Sequence, residues 1–200
     1  MRKFLKRMTG IFLCVAMAAG IYGAIPAYAE GTDTGTDIQE QAAQWPTGPA
    51  VQAASAIIMD ASTGTVLYEK DADTPRYPAS ITKIMTTLLA LENCNLDEMV
   101  HFSATAVYEN EGGTSHIARD LDEEMTLEQC LYGIMLESAN ECSYAVAEHV
   151  GGGDYQKFID MMNAKAAELG CTNTHFNNCN GLPDPAHVVS ARAVSYTHLT

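Results

Sequence analysis

Cations are scarce in this 200-residue sequence: 11 Lys and Arg stand against 25 Asp and Glu, a formal charge of −14. Four of the eleven, Arg2, Lys3, Lys6 and Arg7, fall before the first acid, Glu30, so the remainder is more negative still, at −18. A surface of that sign repels phosphate, which argues against nucleic acid as a partner. There is no Cys-x-x-Cys and no His-Glu-x-x-His, so the common zinc frameworks are missing. Of six cysteines, Cys14 lies in the N-terminal apolar run, which leaves Cys94, Cys130, Cys142, Cys171 and Cys179. An odd number argues against a complete disulfide framework, although one or two bridges are compatible with it. Cys171, His175 and Cys179 recur at four-residue intervals in CTNTHFNNC, but three ligands at that spacing make a weak metal signal. Internal repeats are absent too.

What is present begins with an export signal. A basic start, an apolar run from Ile11 to Ile25 and the small-x-small triplet Ala27–Ala29 have the order of a secretory signal peptide, residues 1–29. The run is too short to be preferred as a permanent membrane span. Residues 30–52, rich in Gly, Thr, Asp, Gln and Ala, have no sustained apolar period and read as a flexible linker. The domain itself is expected over 53–192. It opens with two β-favouring runs, SAIIMD and TVLYEKD, around an ASTG turn, which predicts a hairpin.

Pro75 and Pro78 then keep the chain extended up to Ser80. Beyond it, Ile81, Ile84, Met85, Leu88 and Leu89 repeat with helical spacing through Glu92. A second helix is marked by a capping-box pattern at Thr126 and Gln129 and by the stripe Leu127, Cys130, Leu131, Ile134 and Met135. It breaks at Ser138-Ala139-Asn140, and Asn140 is the expected N-cap of a third helix through Val150, stopped by Gly151–Gly153. A fourth opens at Asp154 with Tyr155, Phe158, Ile159, Met162, Ala166 and Leu169 on one stripe, closed by Gly170. The following segment to Arg192 is dense in turn formers and reads as a structured loop.

Ser80 and Lys83 are three residues apart, a spacing that puts both side chains on one helix face. A serine hydroxyl becomes a useful nucleophile when a base removes its proton, and lysine is such a base only when its pKa is lowered. Periodicity alone favours a plainer assignment, with Ser80 a helix cap and Lys83 a solvated residue. Ser138 and Asn140 shift the balance: two residues apart in a helix break, they can both face a cleft, one relaying a proton and one binding a carbonyl.

PASITKIM and SAN, in that order behind an export signal, resemble the first two motifs of the penicillin-recognising serine acyltransferases. The wider segments SAIIMDASTGTVLYEKDADTPRYPASITKIMTTLLALE, GIMLESANECSYAVAEHVGG and AAELGCTNTHFNNCNGLPD resemble D-alanyl-D-alanine carboxypeptidases of the S11 peptidase type, low-molecular-mass penicillin-binding proteins, over about Ala54–Arg192. The resemblance implies an α/β fold, the penicillin-binding protein or serine β-lactamase-like transpeptidase fold, with a helical subdomain inserted after the nucleophile helix. It implies Ser80 as nucleophile, Lys83 as its base, Ser138 as proton relay and Asn140 as substrate-binding amide, with no metal or organic cofactor. Peptidoglycan stem peptides ending in D-Ala-D-Ala and β-lactam antibiotics are the implied partners, in the cell envelope or periplasm. The third family motif, Lys-Thr-Gly, is absent, and 193–200 lacks the family's pattern. The expectation is therefore an incomplete fold, with C-terminal sheet strands missing, an artefactual or spliced end, no C-terminal membrane anchor, and a fragment inactive as it stands. Two alternatives stand beside it. A serine β-lactamase would share Ser80 and Lys83 and add a deacylation base; a non-catalytic wall-binding or sensor domain would keep the fold without acylation.

Overall fold

Asp60 closes the turn of the expected hairpin, its Oδ1 accepting the backbone N–H groups of Ser62 and Thr63, at 2.8 and 3.0 Å, with Gly64 in the left-handed region at φ +71°. The strands it joins are β1 (Ala56–Met59) and β2 (Val66–Lys70), antiparallel with Ile58 opposite Tyr68 and Met59 opposite Val66, so that Leu67 is the extra residue of a bulge. This computed structural model describes residues 48–109 and 113–199. The expected signal peptide, 1–29, and most of the expected linker, 30–52, lie outside the described residues.

A 3-10 turn, Ala79–Thr82, leads into helix α1, Lys83–Asn93. A short second hairpin follows, β3 (Met99–His101) against β4 (Glu124–Thr126), with helix α2 (Ala104–Tyr108) between them, capped by the Ser103 side chain. Neither strand is announced by alternation, because each is three residues long. Helix α3, Leu127–Leu136, begins with the expected capping box of Thr126 and Gln129. Its stripe is buried at Leu127, Cys130, Leu131 and Ile134, whereas Met135 is exposed.

Helix α4, Asn140–Gly151, is the central element: α1, α2, α3 and helix α5 (Tyr155–Glu168) all pack on it. Its N-cap is Ala139, not Asn140. The Asn140 side chain is instead turned inward, for a reason given below. Two cores meet along it. One joins Val100, Phe102, Leu127, Ile134 and Val146; the other joins Met85, Leu89, Phe158, Met162 and Phe176. α5 starts at its expected cap, Asp154, and is followed by Gly170 at φ +72°.

The turn-rich segment after α5 is pinned at several points. Val188 pairs with His175 and Val189 with Arg76, and Asn163 grips Phe176 through both its amide atoms, the N–H donating to the carbonyl and the Oδ1 accepting the N–H. Residues 191–198, expected to be the end of a structured loop and an atypical tail, instead form helix α6 (Ala191–His198), whose cap is the Ser190 side chain. Arg192 ties its start to Asp73 (Nε to Oδ1, 2.7 Å) and Glu69. Among the described residues no helix is long and apolar enough to cross a membrane.

Candidate active site

Ser80 is exposed and Lys83 is 2 % exposed, so the nucleophile candidate faces solvent and the amine beneath it does not. The 3-10 turn explains how they meet: at three residues per turn, positions i and i+3 eclipse, more closely than in an α-helix. Lys83 Nζ lies 3.2 Å from Ser80 Oγ. Its other two partners are Asn140 Oδ1 and the Asn180 carbonyl, each at 2.8 Å. This is why Asn140 does not cap its helix. Burial lowers the Lys83 pKa from 10.5 to about 8, against the opposing charge of Glu141 nearby.

Ser138 approaches Ser80 from the other side, its hydroxyl donating to Ser80 Oγ at 2.8 Å. It does so from the left-handed region, φ +57°, in the break between α3 and α4. A β-carbon is costly there, and such strain persists where the surroundings over-determine it. Ala139, whose N–H returns to the Gly133 carbonyl at 3.0 Å, holds the break in shape. All four expected residues, Ser80, Lys83, Ser138 and Asn140, are therefore brought into one hydrogen-bonded group.

A profile of the D-alanyl-D-alanine carboxypeptidase family (peptidase S11) matches residues 39–198. The chain belongs to that family. It is 39 % identical over 142 residues to the D-alanyl-D-alanine carboxypeptidase DacF of Bacillus subtilis, covering 70 % of this chain and 36 % of the relative. It is 35 % identical over 194 residues to the D-alanyl-D-alanine carboxypeptidase of Streptomyces strain K15, covering 92 % and 59 %. Among solved structures, DacD of Francisella tularensis superposes with a TM-score of 0.72 at 32 % identity, over 78 % of this chain and 38 % of that one. The Streptomyces K15 DD-transpeptidase gives 0.70 at 33 %, over 77 % and 62 %. The fold is thus the α/β penicillin-binding protein fold, and this chain spans about four-tenths to six-tenths of the relatives it matches.

In this carboxypeptidase-family chain the segment 177–190 is part of the site, a role that sequence reasoning missed. The Asn180 carbonyl is a Lys83 partner, and Thr86 donates to the Cys179 carbonyl at 2.6 Å. Gly181, at φ +91°, packs so closely on the nucleophile turn that a β-carbon there would lie 1.8 Å from the Ala79 carbonyl oxygen. His187, 1 % exposed, accepts the backbone N–H of Asn177 on Nδ1 at 2.9 Å. That leaves Nε2–H to donate to Thr82 Oγ1, 2.7 Å away. The Asn-Gly pair at 180–181 is a turn signal legible in sequence; its carbonyl's partner is not. Cys171, His175 and Cys179 are not gathered as a ligand set: among the described residues the metal-capable group is Cys94, Glu98 and His149.

Proposed function

We propose that the chain is the nucleophile-bearing part of an exported serine-type D-Ala-D-Ala carboxypeptidase that removes the terminal D-alanine from peptidoglycan stem peptides. The observation that carries this reading is Ser80 Oγ held between Lys83 Nζ at 3.2 Å and Ser138 Oγ at 2.8 Å, with the lysine amine buried and its pKa near 8. In the neutral form Lys83 accepts the Ser80 proton as Oγ bonds to the carbonyl carbon of the D-Ala-D-Ala peptide bond. The oxyanion formed is stabilised by the Ser80 backbone N–H and a second donor. As the C–N bond breaks, Ser138 passes a proton to the departing amine, D-alanine leaves, and Ser80 carries the acyl group as an ester. Water adds to that ester, the Ser80 hydroxyl is regenerated, and the shortened stem is released. Asn140, its Oδ1 on Lys83, has an amide N–H₂ left for a substrate carbonyl. A β-lactam would acylate Ser80 by the same attack and remain attached. That its relatives are D-alanyl-D-alanine carboxypeptidases and a DD-transpeptidase supports this class over a β-lactamase.

Fluorescent penicillin tests the reading on the full reading frame that encodes this chain. Covalent label on the Ser80 peptide, lost in Ser80→Ala, together with release of D-alanine from a stem peptide, is the expected result. Label on another residue, or rapid turnover of a chromogenic cephalosporin, would overturn it.

A further inference from the structure

Away from the site, three side chains with metal-binding atoms converge where two helices end. Cys94 is the C-cap of α1, Glu98 lies in the turn before β3, and His149 is in the last turn of α4. One ligand atom from each, a thiol sulfur, a carboxylate oxygen and a ring nitrogen, lie within 4.8 Å of one another. All three are half-buried. The Glu98 carboxylate is already oriented: Oε1 accepts the Asn95 backbone N–H at 2.6 Å and its side-chain N–H at 3.0 Å, leaving Oε2 to face His149 Nε2 at 2.9 Å. The backbones are fixed as well, Cys94 N–H to the Ala90 carbonyl at 3.0 Å and Leu127 N–H to the Glu98 carbonyl at 2.8 Å. Beside His149 is an open depression of about 430 Å³ lined by His101, Ser103, Glu148, His149, Gly152 and Gly153, which opens that ring to solvent.

We propose that Cys94, Glu98 and His149 form a zinc site, with water completing a tetrahedral shell. The donor set decides the ion. Thiolate with imidazole and one carboxylate suits zinc, whereas magnesium and calcium take all-oxygen shells. On binding, the Cys94 thiol releases its proton to solvent and the thiolate and Glu98 carboxylate balance the 2+ charge, with His149 neutral. Closing the shell would require the hydrogen bond between Glu98 and His149 to open slightly as the ion enters between them. The site lies at the helix ends remote from Ser80, so its role is structural, with water in place of the fourth side chain usual in structural zinc sites. α1 begins at Lys83 and α4 at Asn140, the residues joined in the candidate active site; their far ends carry Cys94 and His149. Zinc at this point would fix the two helices at the end remote from the chemistry, about 16 Å away for an 11-residue helix.

The experiment uses the full 200-residue chain stripped with chelator, then titrated with Co²⁺ and Zn²⁺. One equivalent of Co²⁺ should give a thiolate-to-metal charge-transfer band, which Zn²⁺ abolishes and excess Mg²⁺ or Ca²⁺ does not. Zn²⁺ should slow alkylation of Cys94 by iodoacetamide at least tenfold, read by peptide mass spectrometry, while Cys171 reacts at an unchanged rate. His149→Asn and Glu98→Gln should lose that protection, and Asn95→Ala, which removes one orienting hydrogen bond, should weaken binding about tenfold. Ser80→Ala should bind zinc as the unaltered chain does, so failure here is distinct from failure of the proposed function. A cobalt spectrum without a thiolate band, or zinc protection that falls on Cys171 or survives in His149→Asn, would overturn the site, and both readouts on the unaltered chain stand even if a variant fails to fold.

Discussion

Lys83 offers three ammonium protons to three acceptors, and burial still holds its pKa near 8. The neutral, basic form therefore grows tenfold per pH unit up to about 8. The rate of acylation by benzylpenicillin should rise along that slope and level off above it; a flat profile from pH 6 to 9 would remove Lys83 as the base. The same shift acts on stability. Between the folded pKa near 8 and the ordinary lysine value of 10.5, the unfolded chain binds the extra proton, so stability rises with pH across that window. Ser138 gives a cleaner separation of structure from chemistry. Because it stands at φ +57°, Ser138→Gly relieves strain while deleting the hydroxyl on Ser80. Stability should hold or gain about 1 kcal/mol, and acylation should slow by about 10²–10⁴-fold, the usual worth of a positioned proton-transfer group. Gly181→Ala is the converse: a β-carbon driven onto the Ala79 carbonyl at positive φ should cost more than about 2 kcal/mol and misplace Ser80. Urea melts beside penicillin labelling separate the two variants.

At the scale of elements, the 177–190 segment behaves as a clamp on α1 and its preceding turn. Its buried pin is the His187–Thr82 hydrogen bond, and burial pushes the His187 pKa down from 6.5 to about 4. A depressed histidine stays neutral in the folded chain while the unfolded chain takes up a proton below pH 6.5. Its contribution is therefore present above that pH and lost as pH falls to 4, by about 3 kcal/mol at most. Unfolding free energies at pH 7 and pH 4.5 should differ more in the unaltered chain than in His187→Asn; equal differences would sink the argument. Apolar stripes of helical period announced α1, α3 and α5 in the sequence, and the break at Asn140 together with Gly151–Gly153 announced α4. Periodicity could not show β3 and β4, three residues each, or α6, whose buried positions are Ala193 and Thr197 rather than large apolar residues. The four expected site residues were legible through motif order. Asn180 was not, since the group that matters is a backbone carbonyl brought to Lys83 across 97 residues, and no side-chain pattern encodes that.

For the molecule as a whole, the helices bury their stripes on both sides of α4, but among the described residues the first hairpin has no such partner on its outer face. Among the described residues β1 and β2 form a two-stranded sheet, with Ile58 49 % and Leu67 65 % exposed. α6 packs on β1, and Arg192 ties α6 to Glu69 on β2 and to Asp73 just beyond it. Those ion pairs are at the surface, where such pairs contribute little. A two-stranded sheet is marginal in water, and unpaired strand edges with exposed apolar side chains invite association. These 200 residues also contain no Lys-Thr-Gly, the third motif of this enzyme class. Both features point to the same pair of outcomes for the 200-residue chain. Its urea midpoint should lie below that of the Streptomyces K15 relative under identical conditions, with concentration-dependent light scattering, and Ser80 should be labelled by penicillin at least about 10²-fold more slowly than that relative is, the order of effect of losing one group that stabilises the transition state. Equal midpoints would show that the hairpin is supported by α6 and the helical core alone, and equal labelling rates would show that the Ser80, Lys83 and Ser138 group acylates without the third motif.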